Sequence, residues 1–220
     1  MLFQTNEANL NEPIPKMSKP ASMTIVNVGY RSTNFWVVSA GTSRLLLDLG
    51  WPGTMGTMRA NLERMGIPLK EIRYGLATHY HPDHAGLAQD LKQAGVPLLV
   101  LETQVSAIPL LKTWTKPADH FTDISMHDNV VISFAESRAI LQRIGIAGEI
   151  LPTPGHSDDS VSLLLDDGSV FTGDLTHPSL AEEKDASAVA ASWRLLQERG
   201  ATRVYPGHGS VRSLPGAKAG

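Results

Sequence analysis

The chain has 220 residues, 42% hydrophobic and 19% charged, a composition ordinary for a globular protein with room for a substantial core. Its net charge of −3 excludes a strongly basic, nucleic-acid-coating chain. The absence of cysteine excludes disulfides and thiolate metal ligands, so any metal site must use imidazole and carboxylate, donors suited to zinc, iron or manganese.

Residues 1–20 are polar and proline-punctuated and read as a flexible arm, without the basic start and apolar run of a secretory leader, and no run approaches the length of a membrane span. A cytoplasmic protein is the expectation. Met23 to Val28, Asn34 to Ser39 and Leu45 to Leu49 read as short strands parted by Gly29 to Thr33 and Gly41 to Ser43. Met55, Met58, Leu62 and Met65 keep helical spacing, closed by Gly66. A strand is expected over Ile72 to Thr78, a helix around Leu87 to Ala94, and a strand over Pro97 to Leu101.

The stretch from Thr103 to His127 is the least regular. The expectation there is a helix over Val105 to Trp114, serving as a lid, a homodimer contact or a buried helix. Strand and helix follow at Val130 to Phe134 and Glu136 to Ile144. Glu149 to Leu151, Ser160 to Leu165 and Ser169 to Thr172 return to β-structure, with Asp167-Gly168 as a hairpin turn. A helical stripe of Val189, Trp193 and Leu196 precedes a last strand at Arg203 to Tyr205. A single domain over 21–212 and a tail over 213–220 are expected. This order suits two sheets with helices outside, although periodicity alone leaves other α/β arrangements open.

One segment dominates the chemistry: Thr78-His79-Tyr80-His81-Pro82-Asp83-His84. It sets four potential metal ligands at the end of a strand. A strand-to-helix loop can turn His79 and His81 one way and Asp83 and His84 another, which suits two ions about 3.5–4 Å apart. Three later segments repeat a strand, a glycine and one ligand type: Gly155-His156, Gly173-Asp174 and Gly207-His208. Each alone would pass for a surface turn; together with the first segment they complete a coordination set that uses five of the eight histidines.

The pattern His79-X-His81-X-Asp83-His84, His156, Asp174, His208 resembles that of the metallo-β-lactamase superfamily from about residue 23 to 209. The resemblance implies a four-layer αββα sandwich of α/β (α+β) class with its site at one edge. It implies one ion on His79, His81 and His156, another on Asp83, His84 and His208, Asp174 bridging both, and Asp48 supporting from behind. It implies a hydrolase in which a hydroxide shared by two divalent ions, zinc foremost and iron or manganese as alternatives, attacks a small-molecule ester, thioester or lactone. Asp83 would orient that hydroxide and carry a proton.

Asp174 and the lack of cysteine point to the glyoxalase II, lactonase and phosphodiesterase branches. The 12 residues after His208 leave no room for an appended domain, so none is expected. His177 stands where lactonase-like relatives often carry a substrate-contacting tyrosine; it reads as a substrate contact or proton donor, or more plainly as an exposed loop residue. Tyr80 and Tyr30 are candidate substrate contacts, while Phe35 and Trp36 suit a cleft wall or the core. His120 and His127 read as solvent histidines. Two other activities stay open: a persulfide dioxygenase-like enzyme with one iron on His79, His156 and Asp174, and a phosphodiesterase or nuclease. Neither nucleic-acid nor membrane partners are expected.

Overall fold

A computed structural model describes residues 23–214. The expected N-terminal arm and most of the tail lie outside them. The first sheet has four strands in the order β1 (Met23–Asn27), β2 (Trp36–Ala40), β3 (Ser43–Leu47) and β4 (Ile72–Leu76), with only β3 and β4 parallel. Helix α1 (Met55–Arg64) crosses from β3 to β4. The turn α2 (Pro82–Ala85) and helix α3 (Ala88–Gln93) then lead to the parallel pair β5 (Leu99–Leu101) and β6 (Val130–Ile132). A bridge between Gly75 and Leu98 joins that pair to β4.

After α4 (Phe134–Arg143) comes the second sheet. It comprises β7 (Gly148–Pro152), β8 (Val161–Leu165), β9 (Ser169–Gly173), β10 (Arg203–Pro206) and β11 (Arg212–Ser213), with α5 (Ala186–Glu198) between β9 and β10.

Alternation along the strands builds the layers. Successive side chains of a strand point to opposite faces. Leu45 and Leu47 therefore enter one core while Leu46 enters another. Leu163, Leu165 and Phe171 meet Leu45, Leu47, Trp36 and Val38 between the sheets. Leu164 and Val170 face the other way, onto Val189, Trp193 and Leu196 of α5. On the far side, Val37 and Leu46 pack on Met58 and Leu62 of α1 and on Leu91 of α3. The layers are α, β, β, α, as the resemblance implies. Each such buried leucine or valine contributes about 1.5–3 kcal/mol, which explains why period-two strands flanked by amphipathic helices settle here.

Some expectations change. The stretch from Val105 to Trp114 is no α-helix. Its Ile108–Trp114 part forms tight 3-10 turns, since Pro109 brings no N–H, and an earlier 3-10 turn at Glu102–Gln104 is closed by the Gln104 side chain accepting from the Leu101 N–H at 3.2 Å. Pro82 opens the helical turn α2, where its missing N–H costs nothing. Phe35 and Trp36 belong to the cores. Ser213 is in β11, and the Leu214 N–H bonds Thr202 O at 2.8 Å, so the body of the fold extends beyond residue 212. Among the described residues no helix is long and apolar enough to cross a membrane.

Candidate metal centre

Every candidate ligand stands just beyond the C-terminal end of a strand. His79, His81, Asp83 and His84 follow β4; His156 follows β7; Asp174 follows β9; His208 follows β10. Cross-links fasten these ends together. Val161 N–H donates to Thr78 O at 2.8 Å and joins the two sheets. The buried Gln104 amide donates to Ala77 O at 3.0 Å and Asp159 O at 3.3 Å, while Asp159 Oδ2 accepts from Tyr80 N–H at 2.8 Å. The His208 loop is held by Asn34, whose N–H reaches Gly207 O at 2.7 Å and whose amide reaches Pro206 O and Gly209 O.

Two glycines make the convergence feasible. A Cβ on Gly173, whose φ is +51°, would lie 2.2 Å from Thr78 Oγ1. A Cβ on Gly207 would lie 2.5 Å from Asp174 Oδ1 and 2.6 Å from His84 Cε1. The strand-glycine-ligand pattern therefore has a steric cause at these two places.

The side chains meet in two groups, His79 with His81 and His156, and Asp83 with His84, Asp174 and His208; within each group one donor atom per residue lies within 4.8 Å of the others. His81 Nδ1 is 3.1 Å from His79 Nε2 and 3.0 Å from His156 Nε2. His84 Nε2 is 3.3 Å from both Asp83 Oδ2 and Asp174 Oδ1, and His208 Nε2 is 3.1 Å from Asp83 Oδ2 and 3.3 Å from Asp174 Oδ2. Asp174 Oδ2 also lies 3.9 Å from His156 Nε2, which sets this carboxylate between the groups. His79 and His84 form the buried floor, and His156 and His208 rise toward solvent.

The donor set fits a pair of divalent cations. His84 Nε2 and Asp174 Oδ1 are buried atoms without a hydrogen-bond partner, a costly arrangement that a cation would relieve. Burial, then the charge of the neighbouring imidazoles with His84 foremost, holds His79 well below the usual histidine range. Burial works against ionisation of Asp83, but the charge of His84, then that of His208, keeps its carboxyl below the usual range.

The rings are anchored from behind. Asp48 Oδ2 accepts from His84 Nδ1 at 2.9 Å, and Asp48 Oδ1 accepts from Thr78 N–H at 2.8 Å and Thr78 Oγ1 at 2.9 Å. Thr78 Oγ1 in turn lies 3.2 Å from His79 Nδ1. One aspartate thus reaches a candidate ligand of each group, His84 directly and His79 through Thr78. His208 Nδ1 donates to Ser32 O at 2.6 Å, and Thr33 Oγ1 donates to Asp83 Oδ2 at 3.2 Å.

The other candidates divide. Tyr80 does not face the cleft. It is buried in the core beside α3, and burial pushes its phenol above the usual range. Tyr30 is half-buried, its hydroxyl bonded to Thr54 Oγ1 at 2.5 Å, and packs edge-on to Phe35. His177 stays exposed on the loop after Asp174, with Nδ1 bonded to Ser179 Oγ at 2.7 Å, and is in neither ligand group. His120 and His127 are exposed, as expected. Sequence reasoning missed Thr78, Thr33, Ser32, Gln104 and Asp159; only Thr78, next to the first ligand, carried even a positional hint.

The fold and this constellation define a class, and the comparisons agree: the profile of the metallo-beta-lactamase superfamily matches residues 28–208, and the chain belongs to that superfamily. A lactamase-like protein of Pestalotiopsis microspora is 31% identical over 189 residues, covering 82% of this chain and 50% of that protein. A probable metallo-hydrolase of Methanocaldococcus jannaschii is 26% identical over 199 residues, covering 83% and 90%. The chain spans about half the length of its fungal relatives. Among solved structures, a metallo-beta-lactamase family protein of Thermus thermophilus superposes with a TM-score of 0.67 at 17% identity, covering 89% of this chain and 75% of that one. TTHA1623, solved in a di-iron-bound form, gives 0.66 at 23%, covering 86% and 94%. These structures share the fold.

Proposed function

We propose that the chain is a metal-dependent hydrolase of a small ester, thioester or lactone, with one divalent ion on His79, His81 and His156, a second on Asp83, His84 and His208, and Asp174 shared. The observation that carries this reading is the pair of buried, unpartnered polar atoms within the second group, His84 Nε2 and Asp174 Oδ1. The ligand set suits zinc, and the di-iron form of TTHA1623 keeps iron within the proposal.

When bound, the ions supply a water ionised near neutral pH and Lewis-acid polarisation of the carbonyl. The chain's residues do the rest. Asp83 is held ionised, and Thr33, His84 and His208 all approach its Oδ2, so its carboxylate is placed to orient the attacking group and to carry a proton to the leaving group. Thr33 fixes that carboxylate and receives the Trp51 indole N–H at 3.2 Å. His177, pinned through Nδ1 by Ser179, offers Nε2 to the substrate. His177→Ala is expected to raise KM roughly fivefold to tenfold, the worth of one hydrogen bond, and an unchanged KM would remove it from the site.

The deciding experiment combines elemental analysis with a panel of esters, thioesters, lactones and bis(p-nitrophenyl) phosphate on one preparation. Two ions per chain and turnover of a carbonyl substrate that Asp174→Ala abolishes are expected. A single iron with oxygen uptake on glutathione persulfide, or phosphodiester cleavage alone, would overturn the assignment.

A further inference from the structure

Trp114 is the largest apolar side chain on the surface of the described residues, 64% exposed. Scattered exposed apolar residues are ordinary; this one is set apart by its position. Its ring lies 5.4 Å from the His81 ring, inclined at 50°. His81 in turn points Nδ1 at His79 and His156, so the indole stands one ring away from the converging donors.

The other tryptophans are all covered. Trp36 and Trp193 are buried, Trp51 is half-buried beneath the Arg31 guanidinium, and Arg212 lies over Trp193. Among the described residues Trp114 alone keeps its surface open beside the centre. Its support is firm: Ile108 and Leu111 of the same 3-10 segment are buried, and Thr113 Oγ1 and Thr115 Oγ1 close the turn onto Leu110 O and Lys112 O at 2.7 and 3.0 Å. A second apolar residue, Leu180, 76% exposed, stands on the loop that Thr176 Oγ1 ties to Gly155 O at 3.3 Å, directly before His156. Apolar surface is thus offered beside His81, and the loop that carries Leu180 is tied to the one that carries His156.

Resting on the hydrolase reading, we infer that Trp114 sets substrate specificity: its indole receives an aryl or long-chain acyl group while the scissile carbonyl lies at the ligand nitrogens. A flat aromatic platform gives large contact area at small entropic cost, and covering about 100 Å² of it is worth tenfold or more in affinity.

The test compares acetyl and phenylacetyl thioesters of N-acetylcysteamine, with emission of the metal-loaded protein followed during titration with phenylacetate or acetate. Wild type should prefer the phenylacetyl substrate. Trp114→Ala should cut that preference about tenfold or more, through KM rather than kcat, and Trp114→Phe should restore most of it. Met65→Ala, which removes another exposed apolar side chain, on α1's last turn, should leave the preference unaltered. Phenylacetate should quench wild-type emission where acetate does not, and Trp114→Phe should abolish the quench. An unaltered preference in Trp114→Ala, or a quench that survives in Trp114→Phe, overturns the inference while leaving the hydrolase reading intact. Failure of wild type on both thioesters and on the wider panel overturns the hydrolase reading itself, and the phenylacetate titration still judges the platform.

Discussion

At the scale of single residues, the centre depends on groups that never touch an ion. Asp48 sits at φ +62°, a conformation that aspartate and asparagine tolerate better than most residues, and from there reaches both Thr78 and His84. Asp48→Asn preserves shape and backbone but places an amide where the His84 Nδ1 proton needs an acceptor. Metal affinity should fall about 10–100-fold, read by competition with a chromogenic chelator, with circular dichroism unchanged. Equal affinity would show that the aspartate is merely a turn residue. Gly207→Ala should act differently, because its Cβ would collide with Asp174 Oδ1 and His84 Cε1, both parts of the ligand set. Less than one ion per chain in elemental analysis is the expected outcome; full occupancy would mean that the loop can yield. These two cases show what sequence can and cannot disclose. Ligand types clustered around strand ends and glycines are conspicuous, and Asp48 could be picked out beside Leu47. Thr33 and Ser32 were illegible, since a hydroxyl or a carbonyl acquires its role only from a partner that folding brings up from 50 to 176 residues away.

At the scale of elements, legibility followed periodicity. Leu45-Leu46-Leu47 and Leu163-Leu164-Leu165 read as strands, and the structure divides each run between two cores. The 3-10 stretch at Ile108–Trp114 was misread because its apolar spacing mimics an α-helix while Pro109 favours tighter turns. Helix α4 offers a prediction of its own. Glu136 accepts from Ser133 N–H at 2.8 Å and Ser133 Oγ at 2.7 Å at the helix start, and these bonds hold its carboxyl below the ordinary glutamate value of 4.5. A lowered folded-state value means that the stabilisation is present above about pH 4.5 and disappears as pH falls through the folded value. Glu136→Ala should therefore lower Tm at pH 7, and the gap from wild type should close on acidification below pH 4.5. A gap of constant size across that range would assign the effect to helix propensity rather than to the charged cap.

At the scale of the whole molecule, the three apolar cores contain none of the candidate ligands, which gather at one edge between them. Metal binding should therefore tighten a fold that already exists, in contrast to small domains that unfold without their ion. The ligands nevertheless come from both sheets, so occupancy restrains the first sheet against the second. Each ion at one hundred times its dissociation constant adds about 2.7 kcal/mol, which for a chain of this size corresponds to a Tm rise of roughly 5–10 °C per site. The chelated protein should keep its far-ultraviolet spectrum and a cooperative transition at that lower Tm. His208→Ala, which removes the ligand at the end of β10, should lose part of the metal-dependent increment and leave the chelated Tm close to wild type, because His208 lies at the exposed mouth and not in a core. Differential scanning calorimetry with and without zinc checks both statements. A metal-free chain with no cooperative transition would show that the edge contacts, rather than the three cores, hold the two sheets together.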